Sequence, residues 1–578
     1  MSASGRTALA LALAALVVFA VTGGGRIVGS DEVTMLQVAR AMSHGRIAIP
    51  EGATLEGRDG RHYSKNAAGQ AVLALPLVIG AEALARLGRL DPARQELAVR
   101  FAVSFWNALV TALLLGWFYW GARRLGASAG AALAAALMLG LTTPLWVYAK
   151  SFMAEPLQAL GLLLALLGAS LAAEPDRGRA HRAERIAAAG AFLAISVKLS
   201  MLPVALACLA PLLKGPPRRL TIPLACVLLA LLGHGAYNWA RFGTPLESGY
   251  GAQATPAAYT TPLLVGLYGL LLSSGKGVMW FAPALWLAPR GWQAMRRGSR
   301  SAGSLAARLG LNDPRGRAAL GGALAWVAGL LLYSRFQHWA GDGSFGPRYL
   351  VPFLPLAFLP VAFSLSPRLP GEGGIPISGG VGASPLAPET GSRSPRPEAR
   401  VAAPRSLRLV VAALAVIGLA VQIGGVAIYF GAEMREVGDF PYTRSLADPR
   451  FMSESHWNPA FSPIAGHWRM LDRNTREHLA GDLPRLLGRG ERDARLGLGA
   501  ADQQALLHAL DFWWLYLIYA GFPRAPVLAV LGLLVLVAIV AVFRLAAAVR
   551  AEREVGAAPA ASRGIGSRSG PAPVAGGG

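Results

Sequence analysis

Acidic side chains that could perform acid–base chemistry stand beside long apolar segments of this chain. Asp31 and Glu32 open an amphipathic stretch after the first apolar segment, and Glu155 immediately precedes Pro156 at the start of a later one. A carboxylate there can take the proton of a hydroxyl group as the hydroxyl attacks a sugar carbon. Each acid also has a structural interpretation, because acidic side chains cap helices and complement the positive end of the helix dipole.

Basic side chains occupy comparable positions. Lys65 lies in the run RHYSKN, Lys198 lies between two short apolar segments, and Arg348 lies in the run GPRYL. Arginine offers a planar, bidentate fork to a phosphate, whereas lysine offers a compact point charge. The three residues therefore predict a site that holds a phosphate or diphosphate, although each would also serve as an anchor at the membrane surface.

A further group of polar residues predicts binding of an acceptor or of a divalent metal. It consists of Glu155 together with His338 and Asp342, which stand close together in the run HWAGDGSF. Divalent metals such as Mg²⁺ prefer oxygen ligands, which carboxylates provide. The residues leave open which of the two they bind, and no metal is assigned.

The segments that must position these side chains are those of an integral membrane protein. Hydrophobic residues make up 54% of the 578 residues and charged residues only 15%, whereas a soluble domain carries about 25% charged residues. Apolar runs of about 20 residues, long enough to cross a bilayer as a helix, recur to about Ala547. The predicted fold class is an all-α polytopic membrane protein with about twelve transmembrane helices and additional interfacial helices.

Two of the predicted spans, on either side of Lys198, are too short to cross the membrane straight. We expect them to form a V-shaped pair that turns near the membrane surface beside a cavity, since irregular backbone is tolerated in a membrane only where protein or water covers it. The predicted spans are residues 8–24, 100–121, 126–147, 155–173, 184–198, 200–214, 219–239, 276–291, 317–335, 348–366, 408–430 and 525–547.

The distribution of arginine and lysine predicts the orientation. The net charge of +23 would also suit a nucleic-acid-binding protein, but the arginines separate apolar runs instead of forming one basic patch, which argues against nucleic acid as a partner. The positive-inside rule places both termini in the cytoplasm and the candidate site on the extracytoplasmic face. It also makes residues 70–90, 261–275 and 508–522 interfacial helices, and we expect the first apolar segment to stay as an uncleaved helix.

These spans predict four parts of the chain. The linker is rich in Pro, Gly, Ser and Arg, which is typical of a flexible segment. The parts are a transmembrane catalytic module (1–366), a flexible cytoplasmic linker (367–407), the last transmembrane helices with an extracytoplasmic loop at 431–507 (408–548), and a disordered cytoplasmic tail (549–578).

Several runs, taken in order, resemble a known family. They are SDEVTMLQVARAMSHGR, GRHYSKNAAGQAVLALPL, YAKSFMAEPLQALGLLLAL, YNWARFGTPLESGYG, GLYGLLLSSGKGVMWFAPALW and HWAGDGSFGPRYLVPFLPLAFLP. Together they look like the bacterial relatives of the GT-C membrane glycosyltransferases, a superfamily that includes protein O-mannosyltransferases and lipid A aminoarabinose transferases. The similarity covers about residues 8–366, and its most specific part is the late GPRYL run.

The resemblance implies a glycosyltransferase of a bacterial-type cytoplasmic (inner) membrane. Its donor would be a sugar on a polyprenyl phosphate, transferred with inversion to an envelope acceptor on the extracytoplasmic side. Asp31 matches the candidate general base, with Glu32 beside it, and Glu155 matches an acid implicated in metal or acceptor binding. Lys65 matches a lysine that contacts the donor phosphate, although relatives usually follow it with prolines where this chain has Asn66, Ala67 and Ala68.

Two other classes of protein also place charge beside a membrane. A transporter or flippase of a lipid-linked substrate is the main alternative, but such proteins usually contain paired broken helices in two similar halves, and this sequence has no evident internal repeat. A non-catalytic scaffold would not need Asp31, Lys65, Glu155 and Arg348 together. The sequence leaves open the sugar, the polyprenol and the acceptor, which is a lipid, a glycan or a protein.

Overall fold

The computed structural model of the chain is almost entirely helical. It describes residues 1–50, 54–172, 176–297, 311–341, 343–366, 405–436, 456–486 and 500–557. The strands found in these ranges are β1 (Leu55–Glu56) and β2 (His62–Tyr63), which pair antiparallel.

The helices are numbered in chain order. The first half contains α1 (Ala3–Val21), α2 (Ser30–Ser43), α3 (Gly69–Leu87), α4 (Pro92–Val103), α5 (Trp106–Arg124), α6 (Ala129–Leu141), α7 (Leu145–Tyr148), α8 (Glu155–Leu171), α9 (Arg177–Val197), α10 (Leu202–Leu209) and α11 (Arg218–Phe242). The second half contains α12 (Leu263–Leu272), α13 (Val278–Phe281), α14 (Ala288–Arg297), α15 (Pro314–Arg335), α16 (Leu354–Ser364), α17 (Arg405–Ala427), α18 (Phe430–Glu436), α19 (Pro463–Ala480), α20 (Ala500–Ala505), α21 (Trp513–Tyr519) and α22 (Arg524–Ala557).

The predicted class, an all-α multi-pass membrane protein, is confirmed. Within the described ranges, seven helical segments are long and apolar enough to cross a membrane, and several shorter apolar helices accompany them, so the number of twelve is not confirmed. The seven segments are Ala3–Val21, Gly69–Leu87, Arg94–Arg124, Arg218–Phe242, Pro314–Arg335, Arg405–Ala427 and Arg524–Val555.

Helix α8 lies at the centre of the bundle, with almost every side chain buried, and packs closely against α9. Small residues allow this approach. A Cβ atom at Gly168 would lie 2.3 Å from the backbone nitrogen of Ala187, and one at Gly190 would lie 2.3 Å from that of Ala165. The close packing fixes the first turn of α8, which begins at Glu155.

The predicted break beside Lys198 is confirmed. Helix α9 ends at Val197, and Lys198 itself is extended, with φ −156° and ψ 120°. A 3-10 turn, Leu199–Met201, then leads into α10, which has Pro203 in its first turn, where a missing N–H group is tolerated. Lys198 therefore stands at the junction of the two helices. Only the second, α10, is short, since α9 begins at Arg177 and has 21 residues, against the predicted start at residue 184.

Helices α2, α3 and α4 pack against one another. Arg40 of α2 donates to Glu82 of α3 at 3.2 Å and also pairs with Glu96 of α4, which accounts for the buried carboxylate in an apolar helix. The segment 70–90 was predicted to lie in the membrane interface. Since α3 is also long and apolar enough to span, its interfacial placement stays a prediction.

One predicted span, residues 276–291, is not a continuous helix. It is divided into α13, a 3-10 segment (Pro283–Leu287) and the start of α14. The break falls at Ala282, whose φ of −143° and ψ of 64° lie outside the helical region. A residue before proline is driven out of the helical region by contact with the proline ring, which explains the break.

The last helix, α22, packs along α1 and continues to Ala557. Glu552 near its end accepts hydrogen bonds from Arg123 at 2.6 Å and from the Tyr119 hydroxyl at 2.7 Å. The helix thus covers the first nine residues of the segment predicted to be a tail, 549–578. The rest of that segment, most of the predicted linker and parts of the 431–507 loop lie outside the described residues.

Candidate active site

Three of the predicted site residues meet at one point. Arg348 donates through Nη2 to Asp31 Oδ2 at 2.9 Å and through Nε to Glu155 Oε1 at 2.7 Å. The two carboxylates precede Arg348 by 317 and 193 positions in the chain. The Glu155 side chain is 2% exposed, whereas those of Arg348 and Asp31 are 15% and 22% exposed. This group, called the site cluster below, is therefore partly open on the Asp31 side.

Glu32, the neighbour of Asp31, serves a different purpose. Its carboxylate accepts the backbone N–H of Gly29 at 2.8 Å, which caps α2, and the backbone N–H of Phe152 at 2.5 Å. These bonds tie the start of α2 to the loop that precedes α8. Glu32 was predicted as catalytic beside Asp31, and that role stays a prediction; in the structure its carboxylate holds the helix that carries Asp31.

Arg348 is held in place by the turn that precedes it. Gly346 has a φ of +64°, and a Cβ atom there would lie 2.8 Å from the ring of Phe281, so both the backbone conformation and the close contact require glycine. The chain then enters a 3-10 turn, Arg348–Phe353. The guanidinium is therefore positioned by a tight turn and two ion pairs.

The site cluster lines a cavity of about 370 Å³. Glu32 lies outside this cavity and Asp342 lies outside the described residues. Six predicted residues line it: Asp31, Lys65, Glu155, Lys198, His338 and Arg348.

The two lysines of the cavity are available to an anion. Lys65 Nζ lies 5.4 Å from the ring centroid of Tyr250, and Lys198 Nζ lies 4.9 Å from that of Tyr349. Within the part of the chain that the structure describes, neither ammonium group forms a hydrogen bond or an ion pair. Lysines that line a cavity and form no direct ion pair there are suited to a ligand phosphate.

The charges around Asp31 keep it ionised. Burial by itself would raise the pKa of Asp31, but the positive charge of Arg348, and then those of Lys65 and Lys198, outweigh this and hold the pKa below its usual value. The cavity therefore contains a carboxylate that can accept a proton, surrounded by three cations.

Sequence reasoning missed Arg241, a buried arginine of α11 that also lines the cavity. Its guanidinium donates to the carbonyl oxygen of Ser64 and, at 2.7 Å, to Asn238 Oδ1. It thus fixes the backbone immediately before Lys65. The available signal was a charged residue two positions after the predicted span 219–239, since a charged residue beside a membrane cavity is a functional candidate.

Aromatic rings form another wall of the cavity. Tyr333 of α15 and Tyr349 stack with their centroids 4.4 Å apart, and Lys198 lies over the second ring. His338 contacts Gln253, with 3.3 Å between their side-chain nitrogens. No local sequence pattern joins these residues, so their proximity was not predicted.

A second buried group of charges, called the clamp below, consists of Arg26, Lys150 and Asp511. Lys150 Nζ donates to Asp511 Oδ2 at 3.0 Å, to the Asp511 carbonyl at 2.5 Å and to the Val426 carbonyl. Arg26 donates to Asp511 Oδ1 at 2.7 Å. Burial opposes ionisation of Asp511, but the two cations lower its pKa to about 2. The clamp lines a smaller cavity of about 110 Å³ together with Glu32.

The donors near the site cluster do not make an evident metal centre. Glu155 and His338 line the same cavity, but Glu155 Oε1 is already bound by Arg348. Among the described residues, no group of three or more His, Cys, Asp or Glu side chains is arranged to hold a metal ion. The described side chains around Arg348 therefore fit an arginine-bridged pair of carboxylates better than a metal site.

Comparison with known proteins gave two similar solved structures. No protein-family model matches the sequence, and no curated protein matches it. The crystal structure of ArnT from Cupriavidus metallidurans bound to undecaprenyl phosphate is 18% identical, with 86% of this chain and 74% of that chain covered and a TM-score of 0.45. The crystal structure of the same ArnT in the apo state is 17% identical, with 87% and 76% covered and a TM-score of 0.41.

ArnT is a lipid A aminoarabinose transferase of the GT-C superfamily, the group that the sequence resemblance named. With identities below 20% and TM-scores below 0.5, the likeness is partial. The function proposed below rests on this chain's own site.

Proposed function

We propose that this protein transfers a sugar from a polyprenyl-phosphate donor to a hydroxyl group of an envelope acceptor at the extracytoplasmic face of the inner membrane. The observation that supports this most is the placement of the ionised Asp31 in one cavity with Lys65, Lys198 and Arg348. A base for the attacking hydroxyl and cations for the leaving phosphate are the two requirements of such a transfer.

The proposed reaction is a direct displacement. The acceptor oxygen forms a bond to the anomeric carbon while its proton passes to Asp31, and the bond between that carbon and the phosphate oxygen breaks with its electron pair. Attack on the face opposite the leaving group inverts the configuration. The phosphate leaves as a monoester with one more negative charge, and Lys65, Lys198 and Arg348 stabilise this charge as it develops.

The double role of Arg348 links donor binding to the base. A donor phosphate competes with Asp31 for the guanidinium, while Glu155 still holds its other edge. Because Arg348 is the cation that lowers the pKa of Asp31 most, sharing it with a phosphate raises that pKa. Asp31 thus becomes a stronger base when the donor is bound.

Removal of the base tests the proposal. In cells that lack the gene, we expect one polyprenyl-phosphate sugar to accumulate, and mass analysis of extracted lipids would identify it. Wild-type protein should remove the accumulated lipid, whereas Asp31→Asn should not, because an amide cannot take the proton. Asp472→Asn is the matched control, since Asp472 is an exposed acid with a 61% exposed side chain. A functional Asp31→Asn variant would refute the assignment of the base.

The orientation is tested separately. A cysteine in place of Leu479, which is 84% exposed at the end of α19, should react with a membrane-impermeant thiol reagent on intact cells. A cysteine at position 390, in the predicted linker, should react only after the cells are opened. The opposite pattern would place the site in the cytoplasm.

A further inference from the structure

Two polar atoms on the first turn of α8 have no hydrogen-bond partner among the residues that the structure describes: Glu155 Oε2 and Gln158 Nε2. Glu155 is 2% exposed and Gln158 is 1% exposed. Residues three apart on a helix share one face, and both of these line the large cavity. Buried polar atoms are nearly always paired because an unpaired one is costly, so a ligand group or a water molecule that pairs with the two atoms would be stabilised there.

The chemistry of the two atoms restricts that partner. A carboxylate oxygen only accepts hydrogen bonds, and an amide nitrogen only donates them. A phosphate offers only acceptors and would be repelled by the carboxylate, whereas an ammonium group offers only donors. A sugar hydroxyl, the acetamido group of an amino sugar and a water molecule each offer both, and a bound sugar would displace such a water. The pair therefore matches a neutral group that donates to Glu155 and accepts from Gln158.

The position of the pair agrees with this chemistry. The other oxygen of Glu155 accepts from Arg348, and Arg348 in turn contacts Asp31. The pair therefore lies next to the groups that would hold the phosphate and take the proton. In the proposed reaction the transferred sugar lies between the phosphate and the acceptor, and Glu155 and Gln158 line the same cavity as the residues assigned to both.

We propose that Glu155 Oε2 and Gln158 Nε2 form a subsite for a hydroxyl or acetamido group of the transferred sugar, and that Gln158 determines which sugar is accepted. This inference rests on the proposed function. It assigns to Gln158 a direct contact with the donor, beyond the roles proposed for Asp31, Lys65 and Arg348.

The test measures the binding of short-chain probes to the purified full-length protein. The probes are neryl phosphate and its glucosyl, galactosyl, mannosyl and N-acetylglucosaminyl esters. The variant Gln158→Met removes both polar atoms of the side chain but keeps its length. We expect the wild type to prefer one glycosylated probe to neryl phosphate, and Gln158→Met to lose about tenfold or more of that preference while binding neryl phosphate as before.

A matched control and deoxy probes separate the proposed contact from a structural role. Gln422→Met replaces another fully buried glutamine, which lies in α17 away from the cavity, and should leave the preference unchanged. If the preferred sugar binds through a hydroxyl, its deoxy analogue at one position should bind the wild type more weakly but Gln158→Met with no further loss.

Two results would overturn the inference while leaving the proposed function standing. One is a Gln158→Met variant that keeps the full preference for the sugar, and the other is a variant that loses neryl phosphate binding to the same extent. A wild-type protein that binds neither neryl phosphate nor any glycosylated probe would instead refute the proposed function, and the subsite with it.

Discussion

The molecule contains two buried groups of charges that have similar composition. They differ in how fully the oxygens of their carboxylates are paired. The site cluster consists of Asp31, Glu155 and Arg348, and the clamp consists of Arg26, Lys150 and Asp511. Each brings together side chains from three distant parts of the chain. In the clamp, both oxygens of the carboxylate are bound by cations. In the site cluster, one oxygen of Glu155 has no partner and the neighbouring lysines of the cavity have no ion pair within the described residues.

This difference separates a structural group from a chemical one. Buried charges are tolerated when their hydrogen-bonding capacity is filled. In the clamp, both oxygens of the Asp511 carboxylate are bound, and Lys150 also donates to the carbonyl groups of Val426 and Asp511, whereas Nη1 of Arg26 has no partner among the described residues. The site cluster and its lysines leave capacity unused beside a cavity, which a ligand can fill. The pairing of the carboxylate oxygens, more than charge or burial, distinguishes the two groups.

The largest expected effect lies in the clamp. Asp511→Asn removes the only carboxylate of the group and leaves Arg26 and Lys150 buried without a counter-charge. We expect the free energy of unfolding to fall by about 3–5 kcal/mol, measured by thermal or denaturant unfolding in detergent. Asp472→Asn, at an exposed ion pair, should change it by less than about 0.5 kcal/mol. Equal stability of the two variants would show that the clamp is not structural.

The pH dependence of stability sharpens the same point. The folded pKa of Asp511 is about 2, against about 3.9 in an unfolded chain. A carboxyl group whose pKa is lower in the folded protein than in the unfolded chain stabilises the fold at pH values above its unfolded pKa. This stabilisation is lost as the pH falls through its folded pKa. We therefore expect wild-type stability to decline between about pH 5 and pH 2, and Asp511→Asn to lack this part of the decline.

In the site cluster, the expected loss is mainly one of activity. Arg348→Lys keeps the positive charge, but one ammonium group cannot reproduce the planar fork that contacts Asp31 and Glu155 at once. We expect the rate of sugar transfer to fall by about 100-fold, with a smaller change in unfolding free energy than that of Asp511→Asn. The assay is transfer from a polyprenyl-phosphate sugar in membranes.

Arg476→Lys, on a 78% exposed side chain, is the matched control for that exchange. Unaltered transfer by Arg348→Lys would show that a point charge is sufficient. A loss of stability as large as that of Asp511→Asn would show that the site cluster, like the clamp, is chiefly structural.

The sequence predicted the parts of the site that depend on local patterns. The break at Lys198 followed from two apolar runs too short to span, and the positions of Asp31 and Glu155 followed from their places at helix starts. The clamp was not predicted because Lys150 and Arg26 precede Asp511 by 361 and 485 positions. No local pattern connects residues so far apart. Tertiary packing alone brings them together.

Glu32 has a structural role that was not predicted for it. A glutamate three residues after the N-cap residue, here Gly29, can accept from the N-cap backbone N–H, which is the glutamate half of a capping box. The structure contains that bond from the Gly29 N–H. It also contains a bond from the Phe152 N–H to Glu32, which no local sequence pattern predicts. The acidic pair at the start of α2 therefore divides its tasks, since one carboxylate holds the helix and the other lines the cavity.

The smallest expected effect concerns the acid side of the pH–rate profile. Asp31 must be ionised to act as a base, and its pKa is held below the usual value of about 3.9 by Arg348, Lys65 and Lys198. The value of kcat/KM reports the free protein, so it should fall only below about pH 4. The value of kcat reports the donor complex, in which the phosphate shares Arg348, so its acid limb should lie at higher pH.

Lys65 lowers the pKa of Asp31 less than Arg348 does. Replacing Lys65 distinguishes this electrostatic effect from general inactivation by acid. Lys65→Met should move the acid limb of kcat/KM upward, since one of the cations that lower the pKa of Asp31 is lost, and by less than a change at Arg348 would. Transfer rates measured from about pH 3.5 to 7, spanning the usual carboxyl pKa of about 3.9, would show it. If the acid limbs of kcat and kcat/KM coincide, the donor phosphate does not draw Arg348 away from Asp31. The carboxylates of the site cluster would then keep their cation as firmly as the carboxylate of the clamp does.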